Sequence, residues 1–558
     1  MESQRNLLFI ALLVVTFLLF TKWQEDNAPT PVEPAISQSF EESQGATEDY
    51  VPPSDSGAPQ VKAAPATARL ITVTTDVFEM KIDTRGGDIV EVKLLNYETE
   101  QGNGIPFTIM QNGPRKYIAQ SGLTGANGLD RIIPGRPIYQ TTSTDYRLDG
   151  QDQLVIDLNY AGSEALAVTK RFTFNKSDYS VKLDYIINNN SANNASVQLY
   201  AQLKQNADGE GSSALIPTYR GAAYSTTEER YEKYDFDDIE DQNLNKSTQG
   251  GWVAMLQHYF VSSWVPGAED NNQLYTSFSG NRDAVIGFKA PAITIAGHSQ
   301  ASTSATFYVG PKDQRVLENI AQNLDLTIDY GFLFMISQPL YWLLTTIQSG
   351  DFHMNVFDLF EIAFNFGGVG NWGIAIIIIT LIVKGGMYPL TKAQYTSMAK
   401  MRELQPKLTA LKDRYGSDRQ KMSQAMMELY RKEKVNPAGG CLPLLIQMPI
   451  FLALYWVFLE SVELRHAPFG LWIQDLSSLD PYYVLPILMG ISMFIMQKMQ
   501  PMTIQDPMQQ KMMQYMPVVF TVFFFWFPSG LVLYWLVSNI ISIIQMKIIF
   551  NNLEKAKS

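Results

Sequence analysis

The run Ile376-Ile-Ile-Ile-Thr-Leu-Ile-Val-Lys384-Gly-Gly-Met-Tyr-Pro389 decides the fold class. With the residues around it, Trp372 to Leu390, it reads as a membrane span that carries a lysine. At a rise of about 1.5 Å per residue, Lys384 lies roughly 18 Å from Trp372 and about 12 Å from Lys392. That depth is inside the hydrocarbon slab, toward its cytoplasmic half. An insertion cost on the order of 2.5–3.5 kcal/mol follows, and more without water or a partner. One reading is a lysine that snorkels to the interface; the other is a cation lining a polar cavity. Thr380 and Tyr388 share its face at four-residue spacing, which favours the second. No acidic residue occurs in any of the C-terminal spans to form an ion pair.

Four further spans follow: Pro443 to Leu459, Tyr483 to Met496, Met516 to Phe527, and Leu531 to Ile549. Gln447 lies in the first of these four, and Ser538, Asn539, Ser542 and Gln545 punctuate the last. Tyr534, Ser538 and Gln545 fall on one helical stripe; Trp535, Asn539 and Ser542 fall on the next. Such residues commonly bond between helices, and together with Lys384 they predict a wet, amphiphilic groove. Phe527-Pro-Ser-Gly530 is a turn signal, which makes the last two spans a tight hairpin. Leu7 to Phe20, with Arg5 before it and no small-residue cleavage site after it, reads as an uncleaved signal anchor and a sixth span.

The region before these spans is a different material. From Gln24 to Tyr330 there are 23 basic and 40 acidic residues, a net of −17, whereas the rest of the chain is +5. That division excludes a simple nucleic-acid binder, which needs a dominant basic face. Gln24 to about Ala68 is rich in Pro, Ser, Ala and Glu, and reads as a disordered tether. Beyond it, segments such as Val168-Thr-Lys-Arg-Phe-Thr-Phe alternate apolar and polar residues between Gly, Asn and Asp clusters, the pattern of a large antiparallel sandwich. Gln314 to Leu324 reads as a short helix leading out. The single cysteine, Cys441, allows no internal disulfide, and with four scattered histidines it makes no zinc pattern.

Lys392 to Val435 holds 11 Lys/Arg and 5 Asp/Glu, whereas Arg465 is the only basic residue from Ser461 to Pro481. Retention of basic loops inside puts the first loop in the cytoplasm and the β domain outside. Met398, Met401, Leu404, Leu408, Leu411 and Tyr415 recur at three and four residues. Gly416-Ser417-Asp418 breaks the run, and Met422, Met426, Leu429 and Tyr430 resume it. This is a helical hairpin: either simply solvated, or a docking arm presenting Lys400, Arg402, Lys407, Lys412 and Arg414. Walker, zincin and nucleophile-elbow motifs are absent, so no enzyme, cofactor, metal or small-molecule substrate is expected.

Several stretches strongly resemble the YidC family of membrane protein insertases: Asn371-Trp-Gly, Tyr388-Pro-Leu-Thr-Lys-Ala-Gln-Tyr, Val435-Asn-Pro-Ala-Gly-Gly-Cys-Leu-Pro, Gln447-Met-Pro-Ile-Phe, Asp506-Pro-Met-Gln-Gln-Lys and Phe527-Pro-Ser-Gly-Leu-Val-Leu-Tyr-Trp. The order and the long external domain resemble the six-span Gram-negative form. The resemblance implies a multi-pass inner-membrane protein with both termini cytoplasmic and a periplasmic β-supersandwich similar to sugar-binding folds. It also implies a five-span core with a hydrophilic groove open to the cytoplasm and lipid. Two departures stand out. Lys384 occupies the position where the family usually has arginine, so two-point pairing with a carboxylate is lost. Gly350 to Gly367 is an insertion; with Asp358, Glu361 and Asn365 on one face and Val356, Phe357, Phe360 and Phe364 on the other, it reads as an interfacial helix.

The expected division is therefore an anchor over 1–23, a tether over 24–68, a β domain over 69–325, an interfacial helical segment over 326–370, a core over 371–550 with its hairpin at 392–435, and a tail over 551–558. The expected function is insertion and folding of nascent membrane proteins. The groove side chains are Lys384, Thr380, Tyr388, Gln447, Trp535, Ser538 and Asn539, and the bilayer is the destination. The resemblance adds the ribosome and the Sec translocon as partners. Two rivals stay open. A secondary transporter also suits an intramembrane cation, although the halves of this region show no repeat. An anchored periplasmic carbohydrate enzyme or binder is the second.

Overall fold

The computed structural model describes residues 51–52, 68–113, 115–133, 135–160, 165–208, 218–279, 281–356, 360–365, 367–415, 419–433, 442–500 and 507–555. The expected anchor, most of the tether and the Gly416-Ser417-Asp418 break lie outside these residues.

In the first half, strands such as Leu166–Asn175 and Ser180–Asn189 alternate buried and more exposed positions. A strand with one face in a core shows this period. The two pair antiparallel from Leu166↔Asn189 to Phe174↔Val181 within an eight-stranded sheet. An eleven-stranded sheet contains Tyr117–Thr124 paired antiparallel with Ala195–Asn206. Phe78, Val92 and Leu203 of the larger sheet share one buried core with Phe172, Leu183, Trp264 and Phe307 of the smaller. The expected exit helix forms at Gln314–Ile320, where Asp313 caps it by accepting from the backbone N–H of Arg315 and Val316.

One strand shows how the two halves of the molecule join. Every residue of Trp252–Leu256 is buried. Val253 and Met255 face the core between the sheets, whereas Trp252, Ala254 and Leu256 join Leu324, Tyr330, Leu344, Ile376 and Leu454 in a second core. Polar ties surround that junction. Lys312 and Glu460, 2% and 6% exposed, are paired at 3.7 Å. Arg465 lies over the rings of Phe107 and Phe260 and donates to the carbonyl of Glu98 at 2.5 Å. His258 Nε2 is 2.7 Å from the carbonyl oxygen of Leu459. Burial of these charges is tolerable only because each has a partner.

The second half is helical: α1 Phe334–Ser349, α2 Trp372–Gly386, α3 Tyr388–Tyr415, α4 Arg419–Lys432, α5 Leu442–Glu460, α6 Val484–Met499, α7 Pro507–Phe523 and α8 Ser529–Lys555. Among the described residues α8 alone is long and apolar enough to cross a membrane unaided; α2 and α3 pass together across a 64° bend, and α6 and the apolar parts of α5 and α7 are shorter. The expected straight span from Trp372 to Leu390 therefore turns at Met387. Ile540, Ile544 and Ile548 of α8 and Ile487, Ile491 and Ile495 of α6 are exposed at helical spacing. An apolar stripe of this kind is stable against an apolar surround.

Asn371 fixes the start of α2. Its Oδ1 accepts from Ile374 N–H at 3.0 Å, and its Nδ2 donates to the carbonyls of Pro468 and Phe469 at 3.2 and 3.1 Å. A Cβ at Gly373 would sit 2.0 Å from the Phe469 ring, so only glycine permits this approach. The Phe527-Pro-Ser-Gly530 turn is held to the same loop, with Ser529 N–H and Gly530 N–H donating to the carbonyls of Ser478 and Leu476.

The helix expected over Gly350 to Gly367 does not form. Asp351–Val356 and Phe360–Asn365 are instead an antiparallel two-stranded hairpin. The cause lies at its root. Helix α1 stops at Gly350, which is left-handed at φ 78° and donates to the Thr346 carbonyl. Val369 and Gly370 then donate to the carbonyls of Ile347 and Gln348, bringing the returning chain back beside the end of α1. A Cβ at Gly350 would lie 2.2 Å from the Gly368 nitrogen, so the crossing is restricted to glycine.

Candidate functional site

Lys384 is in the last turn of α2, where its charge meets the negative end of the helix dipole. It is only 6% exposed. Its ammonium donates to Gln447 Oε1 of α5 at 3.2 Å and to Ser542 Oγ of α8 at 3.0 Å. Gln447 Nε2 reaches Ser538 Oγ at 3.4 Å, Ser542 Oγ donates to the Ser538 carbonyl at 2.8 Å, and Gln545 Nε2 donates to the Lys384 carbonyl at 3.3 Å. Three helices thus converge on one cation through neutral groups. Each hydrogen bond to a charge is worth about 1.5–3 kcal/mol, which offsets part of the several kcal/mol of desolvation. Among the described residues no carboxylate pairs with the ammonium, and both side-chain partners are neutral. Gly385 and Gly386 beside it are exposed, and a Cβ on either would touch nothing within 4 Å, so one flank of the site is open.

The other expected site residues are placed differently. Thr380 is fully buried, but its hydroxyl donates to the Ile376 carbonyl of its own helix at 2.6 Å. Tyr388 follows the bend and packs in a separate cluster with Tyr395, Met398 and Ile549. Asn539 donates to Ser492 Oγ of α6 at 3.0 Å and not to the lysine. Trp535 stands edge-on to Phe451, with centroids 4.3 Å apart, and near Phe524 at 4.9 Å, so it forms an aromatic wall. Ser542 and Ser492 complete contacts that the expected set lacked. Ser542 had been recognisable as a polar break in the last span; Ser492 is hidden in a methionine-rich run.

On the basic hairpin, Met398, Met401, Leu404 and Leu408 of α3 are buried against Met546 and Ile549 of α8. The first half of α3 is therefore held to the bundle, and α4 folds back on its far half. Lys400, Arg402, Lys407 and Arg414 are exposed. Lys407 pairs with Glu433 at 2.5 Å, and it lines a shallow cleft with Arg414, Leu411, Leu429 and Lys432. The side chain of Lys412 is outside the described set.

The β domain holds its own buried charges. Arg136 bridges Asp88 at 2.9 Å and Asp130 at 2.7 Å. Lys170, fully buried, donates to the Gly86 carbonyl at 2.9 Å. Burial pushes its ammonium down to about 7, against the pull of Asp88. No cluster of His, Cys, Asp or Glu suited to a metal ion occurs among the described residues.

Residues 70–343 match the family model described as the YidC periplasmic domain, and residues 364–556 match that of the 60Kd inner membrane protein. The membrane protein insertase YidC of Shewanella pealeana is 56% identical over 561 residues, covering 100% of this chain and 99% of the relative. The chain belongs to the YidC family of membrane protein insertases. The YidC of Aeromonas salmonicida is 53% identical over 567 residues with the same coverage. A crystal structure of an active YidC insertase with its first transmembrane domain resolved aligns over 88% of this chain and 94% of that one, at 20% identity and a TM-score of 0.37. The names of these relatives and of the second model describe inner-membrane insertases. Residues 344–363 fall between the two matched models.

Proposed function

We propose that this YidC-family chain inserts nascent membrane proteins by receiving a polar client segment at Lys384 while the apolar part moves between helices into lipid. The observation that carries this reading is the ammonium of Lys384, buried between Gln447 and Ser542, its partners among the described residues both neutral. A client carboxylate reaching it gains attraction worth at most roughly 4 kcal/mol at about 4 Å and an effective dielectric near 20, before desolvation. Partial crossing with the polar group held divides one large desolvation barrier into smaller steps.

In this reading six spans cross the inner membrane, both termini are cytoplasmic, and the β supersandwich is periplasmic. The exposed cations of the α3–α4 hairpin meet the ribosome, and the Sec translocon is a second partner. The ties from Asn371 and Ser529 to the external loop close the outer side. Photo-crosslinkers placed at Gln447 and Ser538 should capture stalled nascent chains, while a crosslinker on the lipid-facing Ile544 should capture far less. Equal capture at all three positions counts against the site.

A further inference from the structure

The turn Val462–Leu464, just after α5, is wedged between the two halves of the molecule. Val462 is buried in the core between the sheets, and Leu464 in the core of the helical half. Between them, Glu463 reaches α1: its Oε1 accepts from the Tyr341 hydroxyl at 2.5 Å. Its second oxygen, Oε2, is buried and has no hydrogen-bond partner among the described residues. The hydroxyl of Tyr330 is another buried oxygen in that state, on a ring 5.9 Å from the ring of Tyr341. Tyr330 belongs to the link that leaves the β domain, so this link, α1 and the end of α5 meet at one carboxyl.

We propose that Glu463 is a proton-operated latch, which holds α1 and the link from the β domain against the end of α5 when protonated and loosens them when ionised. An ionised carboxylate only accepts, and a buried one needs several donors. Tyr341 is the side-chain donor it has here, and Oε2 is left unmet. A protonated carboxyl carries no charge and turns one of its oxygens into a donor. Ionisation therefore loads its cost onto a turn whose two neighbours are each locked into a different core.

The groups facing Glu463 do not relieve that cost. Burial pushes its carboxyl up to about 7, against the hydrogen bonds from Tyr341 and from its own backbone. At the start of the helix Gln314–Ile320, Asp313 pushes the same way, while the exposed Arg315 opposes it. Tyr97 of the β domain and Tyr330 of the link also face it, and both are held neutral by burial. Glu460, which Tyr330 also faces, is paired with Lys312. Freed by local opening, Glu463 ionises near its ordinary 4.5, so between about 4.5 and 7 the closed latch binds more protons than the open one. Opening therefore becomes easier as pH rises through that window and levels off above about 7.

The test is hydrogen exchange of the full chain, reconstituted in phosphatidylethanolamine–phosphatidylglycerol vesicles, between pH 5 and 8. Rates over Phe334–Ser349 and Ser461–Arg465 are corrected for the intrinsic chemistry of exchange. Protection of these segments should fall at least about tenfold from pH 5 to 7.5 and then level off. Glu463→Gln is neutral throughout and keeps an acceptor for Tyr341, so its protection should stay at the low-pH value. Tyr341→Phe keeps the carboxyl and removes its donor, so its fall should be deeper than that of the wild type. A wild-type profile that is flat with pH overturns the latch, and so does a fall that Glu463→Gln retains in full. Should Glu463→Gln fail to fold, Tyr341→Phe decides: a fall no deeper than the wild type's overturns it.

Discussion

Lys384 of α2 and Ser542 of α8, 158 positions apart, meet at 3.0 Å in the interior of the helical bundle. The contact ties together a helix that bends at its C-terminal end and the longest apolar helix described. Among the described residues no negative charge pairs with the lysine.

Loss of that contact should be measurable apart from function. Ser542→Ala removes a hydrogen bond to a charge and should lower stability by about 1.5–3 kcal/mol. In a Lys384→Met background the same substitution should cost much less, since the neighbours share one network. Thermal unfolding of the four detergent-purified proteins closes the cycle.

Gly373→Ala places a methyl group 2.0 Å from the Phe469 ring. Overpacking of this kind costs about 1–3 kcal/mol. Phe469→Leu in the same chain should recover part of the loss, read as the midpoint of thermal unfolding.

The junction between the halves makes a sharper prediction. Lys312→Met strands Glu460 in a buried site, and removing one partner of such a pair costs about 3–5 kcal/mol. Lys312→Met with Glu460→Gln should be the more stable protein. Hydrogen exchange over Trp252–Leu256 would report it, because that strand has one face against the helical half.

The β domain should become more stable as pH rises above neutrality. Burial holds Lys170 at about 7 in the folded protein, against 10.5 ordinarily. Between those values the unfolded chain binds more protons, so stability rises with pH from about 7 to about 10, by up to roughly 1.4 kcal/mol per unit. In Lys170→Met that share of the slope should vanish. Unfolding midpoints across this range, compared between the two proteins, provide the check.

How much of this was legible in the sequence differs from residue to residue. Lys384, Gln447 and Ser538 stood out because polar groups in apolar runs need partners, and those three are joined in one network. Thr380 and Tyr388 fitted the same helical face by spacing. Spacing cannot show that a threonine bonds back to its own helix or that the helix turns by 64° at Met387. Residues 350–367 fit two periods: the 3.6 pattern through Asp358, Glu361 and Asn365 and the two-residue pattern of Phe352, Met354 and Val356. Bonds from Val369 and Gly370 to the end of α1 decide between them, and they involve residues outside the segment itself. The packing of Trp252, Ala254 and Leu256 on the helical half left no signal, since a strand buried on both faces reads as a plain apolar run.

The charge at Lys384 is proposed to act on acidic clients. The measurement is insertion of one client, with and without its acidic residue, into vesicles containing the wild-type, Lys384→Arg, Lys384→Ala or Lys384→Glu protein. Arginine should retain insertion, alanine should impair the acidic client selectively, and glutamate should impair it further. If alanine matches lysine for both clients, the ammonium is only a buried structural group and plays no part in receiving clients.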